Sequence, residues 1–327
     1  MNQLTDPFGR KINYLRISVT DRCNLRCHYC MPLHGLEFFQ KTDILSFEEI
    51  TTAVQVANEL GIDRARITGG EPLVRKDLPK LVKMLRSETD LKQLSMTTNG
   101  LLLERFAEEL AESGLDWINV SLDSLRPDRF EKISRFGVLE TVWKGLEKAA
   151  ECGLSPIKIN TLVLKGFNED EIDDWIELTM QHNLIVRFLE LMPIGEGAGV
   201  QGIGEYANLA EIRDSVVEKH DLIPAVPGRG NGPAKYWKAT GSKGMIGFIT
   251  PVSDRYCDTC NRFRLTANGE IRPCLAYDVH VKLGDEIKGG DREAIRRGLV
   301  EAAEIKPEGH HWEIGQVTKT QMSSLGG

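Results

Sequence analysis

Six of the seven cysteines stand in two triplets, Cys23/Cys27/Cys30 and Cys257/Cys260/Cys274. Thiolates are ligands for zinc and for iron–sulfur clusters, and a four-iron cubane is closed by four of them. Each triplet offers three, which leaves one coordination position for a substrate or a further ligand. The first spacing, C-x3-C-x2-C, is neither a zinc-finger pair nor the C-x2-C-x2-C-x3-C-P run of bacterial ferredoxins. Ligand type alone leaves two readings of it: a cluster with a vacant iron, or a zinc ion completed by His28 or His34. The second triplet likewise reads as an open cluster or as a structural zinc knuckle that lacks a fourth ligand. Arg262 and Arg264, two residues apart on a strand candidate, project from one face beside it. An open iron next to two guanidinium groups suits a nucleotide's base and phosphates together.

The elements that must carry these groups alternate along the first two-thirds of the chain. Strand candidates are Tyr14–Thr20, Ala65–Thr68, Leu94–Thr97, Trp117–Ser121, Ile157–Val163 and Val186–Leu191. Between them Phe47–Leu60 shows helical spacing of apolar residues, with Ser46 and Glu49 as a capping box and Gly61 as a stop. Leu78–Arg86, Leu102–Ser113, Thr141–Cys152 and Glu169–His182 follow the same plan. Repeated βα units predict parallel strands with right-handed crossovers.

Alternation within the strands decides their form. Arg16, Ser18, Arg66, Thr68, Thr97, Asn119, Ser121, Lys158 and Asn160 fall on one face, opposite Leu15, Ile17, Ile67, Met96, Val120 and Ile159. A parallel sheet covered on both sides reads as continuous apolar runs, and a closed eight-stranded barrel is filled with Val, Ile and Leu. The pattern therefore predicts a wide, incomplete six-stranded barrel whose polar inner face carries Arg16, Arg66 and Lys158 and binds an anion. The sixth run is less regular, because Arg187 shares its face with Leu189 and Leu191.

Past Met192 the rhythm stops. Residues 1–222 are read as the barrel and 223–327 as a second region that closes it. Gly197 to Gly202 fits G-x-G-x-x-G by letter but lacks a strand–turn–helix context, so it reads as a loop, and no Gly-Lys pair is present to make a P-loop. Leu209–Lys219 is a further helix, followed by a Pro/Gly-rich stretch, Pro224–Pro233, and the strand Met245–Thr250. Arg262–Thr266 and Glu270–Arg272 form a hairpin that returns Cys274 toward Cys257 and Cys260. His310 and His311, adjacent and so facing apart, read as surface residues. The polar end, Thr318–Gly327, reads as disordered by composition.

At 327 residues with 41% hydrophobic content the chain can bury a large core, and its net charge of −7 argues against nucleic acid or acidic membranes as partners. The first twenty residues contain no apolar run, which predicts neither a secretory signal nor a membrane span. Seven cysteines at ligand-like spacing fit a reducing cytosol better than a disulfide framework, with Cys152 a buried thiol.

The first triplet, with the aromatic Tyr29 between two ligands and the segment Thr68-Gly69-Gly70-Glu71-Pro72, resembles the signature of the radical S-adenosylmethionine enzymes. With Leu191-Met192-Pro193, Gly232-Pro233-Ala234, Gly247-Phe248, the Arg262-Phe263-Arg264 run between Cys260 and Cys274, and the final Gly326-Gly327, the whole chain resembles the molybdenum cofactor biosynthesis protein A family, the GTP 3′,8-cyclases. The resemblance implies two [4Fe-4S] clusters, one per triplet, in a partial (β/α)6 barrel closed by the carboxy-terminal region. It also implies S-adenosylmethionine on Tyr29, Gly70, Ser121 and Met192. GTP would lie on Arg16, Arg66, Thr97, Lys158, Arg262, Phe263 and Arg264, with guanine at the open iron of the second cluster. The implied reaction removes the ribose C3′ hydrogen of GTP and joins C3′ to C8, giving 3′,8-cyclo-7,8-dihydro-GTP, with Gly326 and Gly327 assisting a later step. A cytoplasmic homodimer, an electron donor and hand-over to cyclic pyranopterin monophosphate synthase belong to the same picture. A peptide-modifying radical enzyme with an auxiliary cluster, a two-cluster electron carrier and a zinc-dependent nucleic-acid module are the rival readings.

Overall fold

The computed structural model describes residues 3–34, 37–195, 200, 202–230, 232–312, 318, 320 and 322–325. The chain opens with β1 (Tyr14–Ser18), α1 (Phe47–Glu59), β2 (Arg64–Thr68), α2 (Leu78–Glu88), β3 (Gln93–Thr98), α3 (Leu103–Glu112) and β4 (Trp117–Ser121). It continues with α4 (Pro127–Ser134), α5 (Leu139–Glu151), β5 (Ile157–Leu162), β6 (Leu164–Lys165), α6 (Ile172–Gln181), β7 (Leu184–Leu189), β8 (Glu205–Tyr206) and α7 (Leu209–Lys219). The remainder holds β9 (Ile223–Ala225), β10 (Lys235–Lys238), β11 (Met245–Ile249), β12 (Arg262–Leu265), β13 (Glu270–Arg272), β14 (Val281–Lys282), α8 (Gly284–Lys288), α9 (Arg292–Glu304) and α10 (Met322–Leu325).

Local chemistry sets these boundaries. At the start of α1 the Glu49 amide donates to Ser46 Oγ at 3.2 Å and the Ser46 amide donates to Glu49 Oε2 at 2.6 Å, the reciprocal cap that Ser-x-x-Glu predicts. Just past its end Gly61 adopts φ 92°, a conformation cheap only for glycine. The short helix α4, led by Pro127, is absent from the sequence-based plan. The Pro/Gly-rich stretch begins inside strand β9, which pairs with β10.

Among the described residues twelve strands form one sheet in the order β14-β13-β12-β1-β2-β3-β4-β5-β7-β11-β10-β9. From β12 to β11 every neighbouring pair is parallel. Among the described residues the sheet ends in β14 and β9 without closing on itself, so the architecture is an incomplete α/β barrel of the TIM-like kind. The carboxy-terminal segment supplies both flanks, β9–β11 beside β7 and β12–β14 beside β1.

Outward side chains of every parallel strand, among them Leu15, Ile67, Met96, Val120, Ile159, Phe188, Phe248 and Phe263, join one apolar core with the helices. Burial of this face fixes the register, because a slip of one residue would turn it inward.

Two readings of the carboxy-terminal region need correction. His310 is 5% exposed, stacked on Trp312 at 4.1 Å, with Nε2 2.6 Å from the Pro251 carbonyl, so it is a core residue. The described residues of the polar end are docked. Thr318 bridges to Ile194, Thr320 Oγ1 pairs with Arg272 Nη1 at 3.1 Å, and Leu325 is 1% exposed beside Ile194, Ala276 and Trp312. Composition could not show these apolar seats, which tertiary packing creates. Gly326 and Gly327 lie outside the described residues.

Candidate active site between two cysteine loops

The first triplet occupies the loop beyond β1, at the carboxy-terminal end of the parallel strands, where barrels of this kind carry their chemistry. The amides of Cys30 and Met31 both donate to the Cys27 carbonyl at 3.0 Å, and the Leu25 amide approaches Cys23 Sγ at 3.3 Å. Gly69 and Gly70 lie flat against the backbone leading into this loop. The Gly70 amide donates to the Thr20 carbonyl at 2.7 Å, and a Cβ on Gly70 would stand 2.5 Å from the Arg22 carbonyl oxygen. Glycine is thus demanded by close approach. Glu71, fully buried, anchors the next turn by accepting from Thr98 Oγ1 at 2.8 Å and the Asn99 amide at 2.7 Å, and burial pushes its carboxyl up to about 7.

All seven cysteines are free thiols. Burial pushes Cys23 up to about 11; burial, with charge on Cys23 and Asp123, pushes Cys30 up to about 12; and burial, then Asp123 and the other two cysteines, raises Cys27. Among the described residues no three His, Cys, Asp or Glu side chains gather closely enough for a single metal ion. In a cubane each thiolate takes its own iron, so three soft thiols on one loop suit that larger group.

Tyr29 is held by its hydroxyl, which donates to Asp123 Oδ2 at 2.8 Å, while Asp123 Oδ1 accepts from the Leu162 amide at 2.9 Å. Tyr29 packs against the apolar cluster that contains Ile133, Leu162, Leu164 and Phe167. Ser121 sits half-buried on the inner face, paired in register with Asn160. Met192 packs in the same apolar patch as Cys274, Leu275 and Leu325.

The second triplet lies at the opposite end of the barrel strands. Cys257 and Cys260 precede β12, which runs parallel to β1 with Arg262 opposite Tyr14, and Cys274 follows the returning strand β13. The Cys260 amide donates to the Cys257 carbonyl at 3.0 Å. Burial raises Cys274, and it works the same way on Cys260, but there the Arg262 and Lys306 cations prevail and bring the thiol down to about 6.

Between the two ends runs a buried row of cations. Register sets Arg264, Arg16 and Arg66 side by side on β12, β1 and β2, with Ser95 next on β3. Asn119 pairs with Lys158, and Asn160 with Arg187. Arg66 Nε donates to Ser95 Oγ at 3.1 Å, Arg187 Nη2 to Asn119 Oδ1 at 2.9 Å, and Asn119 Nδ2 to Thr97 Oγ1 at 3.4 Å. Among the described residues, buried Arg16 Nε, Arg187 Nε, Trp117 Nε1 and Asn160 Oδ1 have no hydrogen-bond partner. Burial, then repulsion from Arg264 and Arg66, drives Arg16 well below its ordinary range. Burial with repulsion from Arg187 and Arg66 brings Lys158 down to about 7. Among the described residues no carboxylate forms an ion pair with Arg16, Arg66, Lys158, Arg187 or Arg262. A small cavity of about 10 Å³ opens on this row, lined by Tyr14, Arg66, Ser95, Trp117, Gly230 and Gly232. Desolvated cations without carboxylate partners, as Arg16, Arg66, Lys158, Arg187 and Arg262 are among the described residues, are complementary to a polyanion.

Four groups escaped the sequence reading. Arg187 points inward with the other cations, and strand alternation signals it. Asp123, two residues past Ser121, carries the signal of a carboxylate at a strand's carboxy-terminal end. Arg10 and Lys306 brace the second triplet from segments remote in sequence, with no local signal. Phe263 needs correction as a contact side chain: it is 0% exposed on the core face, opposite Arg262 and Arg264, so only its backbone faces the row.

An open parallel barrel with a three-cysteine loop beyond its first strand defines the radical S-adenosylmethionine class. The sequence matches the Radical SAM superfamily over residues 17–179 and Molybdenum Cofactor Synthesis C over residues 184–312. GTP 3′,8-cyclase of Petrotoga mobilis is 45% identical over 325 residues, covering 99% of this chain and 100% of the relative. The enzyme of the same name from Pelotomaculum thermopropionicum is 44% identical over 326 residues, again 99% and 100%. Streptococcus suis SuiB bound to S-adenosylmethionine shares the fold with a TM-score of 0.62 at 16% identity, over 92% of this chain and 76% of that one. This chain belongs to the GTP 3′,8-cyclase family of the radical S-adenosylmethionine superfamily, whose members work with an iron–sulfur cluster and S-adenosylmethionine.

Proposed function

We propose that this chain is a radical lyase that cyclises GTP to 3′,8-cyclo-7,8-dihydro-GTP, the opening step of molybdenum cofactor biosynthesis. The observation that carries the reading is the buried row of Arg16, Arg66, Lys158, Arg187 and Arg262, free of carboxylate partners and set between two three-cysteine loops. Cys23, Cys27 and Cys30 would hold one [4Fe-4S] cluster, and Cys257, Cys260 and Cys274 a second. When bound, the first cluster with S-adenosylmethionine supplies the one-electron chemistry that removes the ribose C3′ hydrogen.

The protein's own part is placement. Tyr29, steadied by Asp123, and the bared backbone at Gly70 receive the sulfonium donor together with Ser121 and Met192. Arg16, Arg66, Thr97 and Lys158 take the triphosphate and ribose, and Arg262 and Arg264 direct the guanine toward the second triplet. Closure by the carboxy-terminal flanks keeps water from the reacting carbon. Leu325 is seated in the patch that holds Cys274, with its carbonyl 3.4 Å from Arg264 Nη1, which supports an assisting role for Gly326 and Gly327.

The wider picture is a cytoplasmic homodimer with residues 1–222 as barrel and 223–327 as auxiliary-cluster region. It takes electrons from a separate donor and passes its product to cyclic pyranopterin monophosphate synthase. Anaerobic reconstitution should give about eight irons per chain, two cubanes of four. With GTP deuterated at C3′, the label should appear in 5′-deoxyadenosine. Release of unlabelled 5′-deoxyadenosine, or turnover on a peptide in place of GTP, would sink the assignment.

A further inference from the structure

Lys306 follows the end of α9 and is 3% exposed. An ammonium has three N–H donors, and all three are taken. Nζ approaches Cys260 Sγ at 3.7 Å, donates to the Arg262 carbonyl at 3.1 Å and donates to the Pro273 carbonyl. The Phe263 ring lies 5.7 Å away on the core side. The three acceptors are the second cysteine of the triplet, the residue that opens β12, and the residue immediately before the third cysteine. One ammonium thus ties together both arms of the hairpin that bring Cys260 and Cys274 to the same place.

Two other cations stand near this loop: Arg262, whose guanidinium also acts on Cys260, and Arg10, which bonds the carbonyls of Cys257 and Glu308 at 2.9 and 2.6 Å and is already neutralised by buried Asp6. Lys306 has no carboxylate partner among the described residues. Buried cations persist when an anion faces them. The anionic groups available here are the ligand thiolates and whatever they hold.

We propose that Lys306 is a positioning residue of the second centre, one that fixes the Cys260 sulfur and raises the reduction potential of a cluster bound by Cys257, Cys260 and Cys274. Reduction adds one electron and no proton to that cluster. A fixed positive charge against a ligand sulfur favours the more negative, reduced state, and hydrogen bonds to sulfur and net charge are levers on cluster potential. The inference rests on the proposed second cluster.

The test uses the full-length chain with Cys23, Cys27 and Cys30 changed to alanine, so that a single cluster is read. Lys306 is kept, or changed by Lys306→Met, Lys306→Gln and Lys306→Arg, and each protein is reconstituted anaerobically, counted for iron and titrated by EPR. The midpoint should fall in the Met and Gln variants and stay near its starting value with Arg. The reduced cluster should show a proton coupling in ordinary water, replaced by a deuteron coupling in deuterated water, that Lys306→Met abolishes. Loss of iron from Met and Gln with retention in Arg also supports the assignment. Unchanged midpoints at full iron content overturn it, as does an equal effect of all three substitutions, on potential or on iron. Failure of the second triplet to hold iron with Lys306 intact instead removes the two-cluster reading itself.

Discussion

Replacing Lys158 by methionine isolates one charge in the cation row. The ammonium is 2% exposed, donates to the Arg229 carbonyl at 2.7 Å, and titrates near 7 because of burial and then repulsion from Arg187 and Arg66. In the unfolded chain the same lysine titrates near 10.5. Between those values the unfolded state binds the extra proton, so stability rises with pH from about 7 to about 10.5, and the penalty of the charge is fully present below about 7. At about 1.4 kcal/mol per pH unit, the ceiling on that penalty is roughly 4–5 kcal/mol. Methionine removes it and forfeits one hydrogen bond worth about 1 kcal/mol, so the nucleotide-free enzyme should gain on the order of 2–4 kcal/mol and melt several degrees higher. A triphosphate reverses the balance, because its charge restores the lysine's proton. Calorimetric titration with GTP at pH 8.5, clear of the phosphate's own ionisation near 6, in two buffers of different ionisation enthalpy counts that uptake. The wild-type protein should take up close to one proton more per nucleotide than Lys158→Met, and should bind more tightly. Equal uptake in both proteins, or no rise in melting temperature, would refute the reasoning.

Gly70→Ala should displace the loop into Cys23, since a Cβ 2.5 Å from the Arg22 carbonyl oxygen needs a shift of about 1 Å and overpacking costs about 1–3 kcal/mol. In a chain with the second triplet changed to alanine, iron content should fall well below that of the Gly70 protein. Asp123→Ala strands the Tyr29 hydroxyl and the Leu162 amide, at about 1–3 kcal/mol for each buried donor, to be read by urea unfolding and by weakened S-adenosylmethionine binding. Leu325→Asp puts a charge into the patch of Ile194, Ala276 and Trp312. It should expose the chain end to limited proteolysis and slow product formation while iron content holds.

The barrel was legible because two signals agree in it. Period-two alternation on β1 to β5 separated Arg16, Arg66, Thr97 and Lys158 from the core residues, and the Ser46/Glu49 cap placed α1. Where the signals were local, boundaries fell within a residue or two, as at Trp117–Ser121 and Leu209–Lys219. The misses were non-local. His310 and Leu325 are buried by surfaces that other segments build, and Lys306 meets Cys260 across 46 residues of chain. Phe263 shows a different failure: reading Arg262 to Arg264 as one contiguous contact set ignored the pleat that turns the middle residue away.

That pleat ties the second triplet to the nucleotide chamber. Leu15 pairs with Phe263 and Ile17 with Leu265 on the core side of β1 and β12, while Arg16 pairs with Arg264 on the inner side. Shifting β12 by one residue would expel two buried apolar side chains from the core and, in the same movement, withdraw both arginines from the row. Cys260 sits two residues before Arg262, and Cys274 two residues after Arg272, which pairs with Arg264. The position of the second triplet is therefore set by the hydrophobic register of β12, and a core substitution such as Phe263→Ser should disturb that centre without touching any of its ligands.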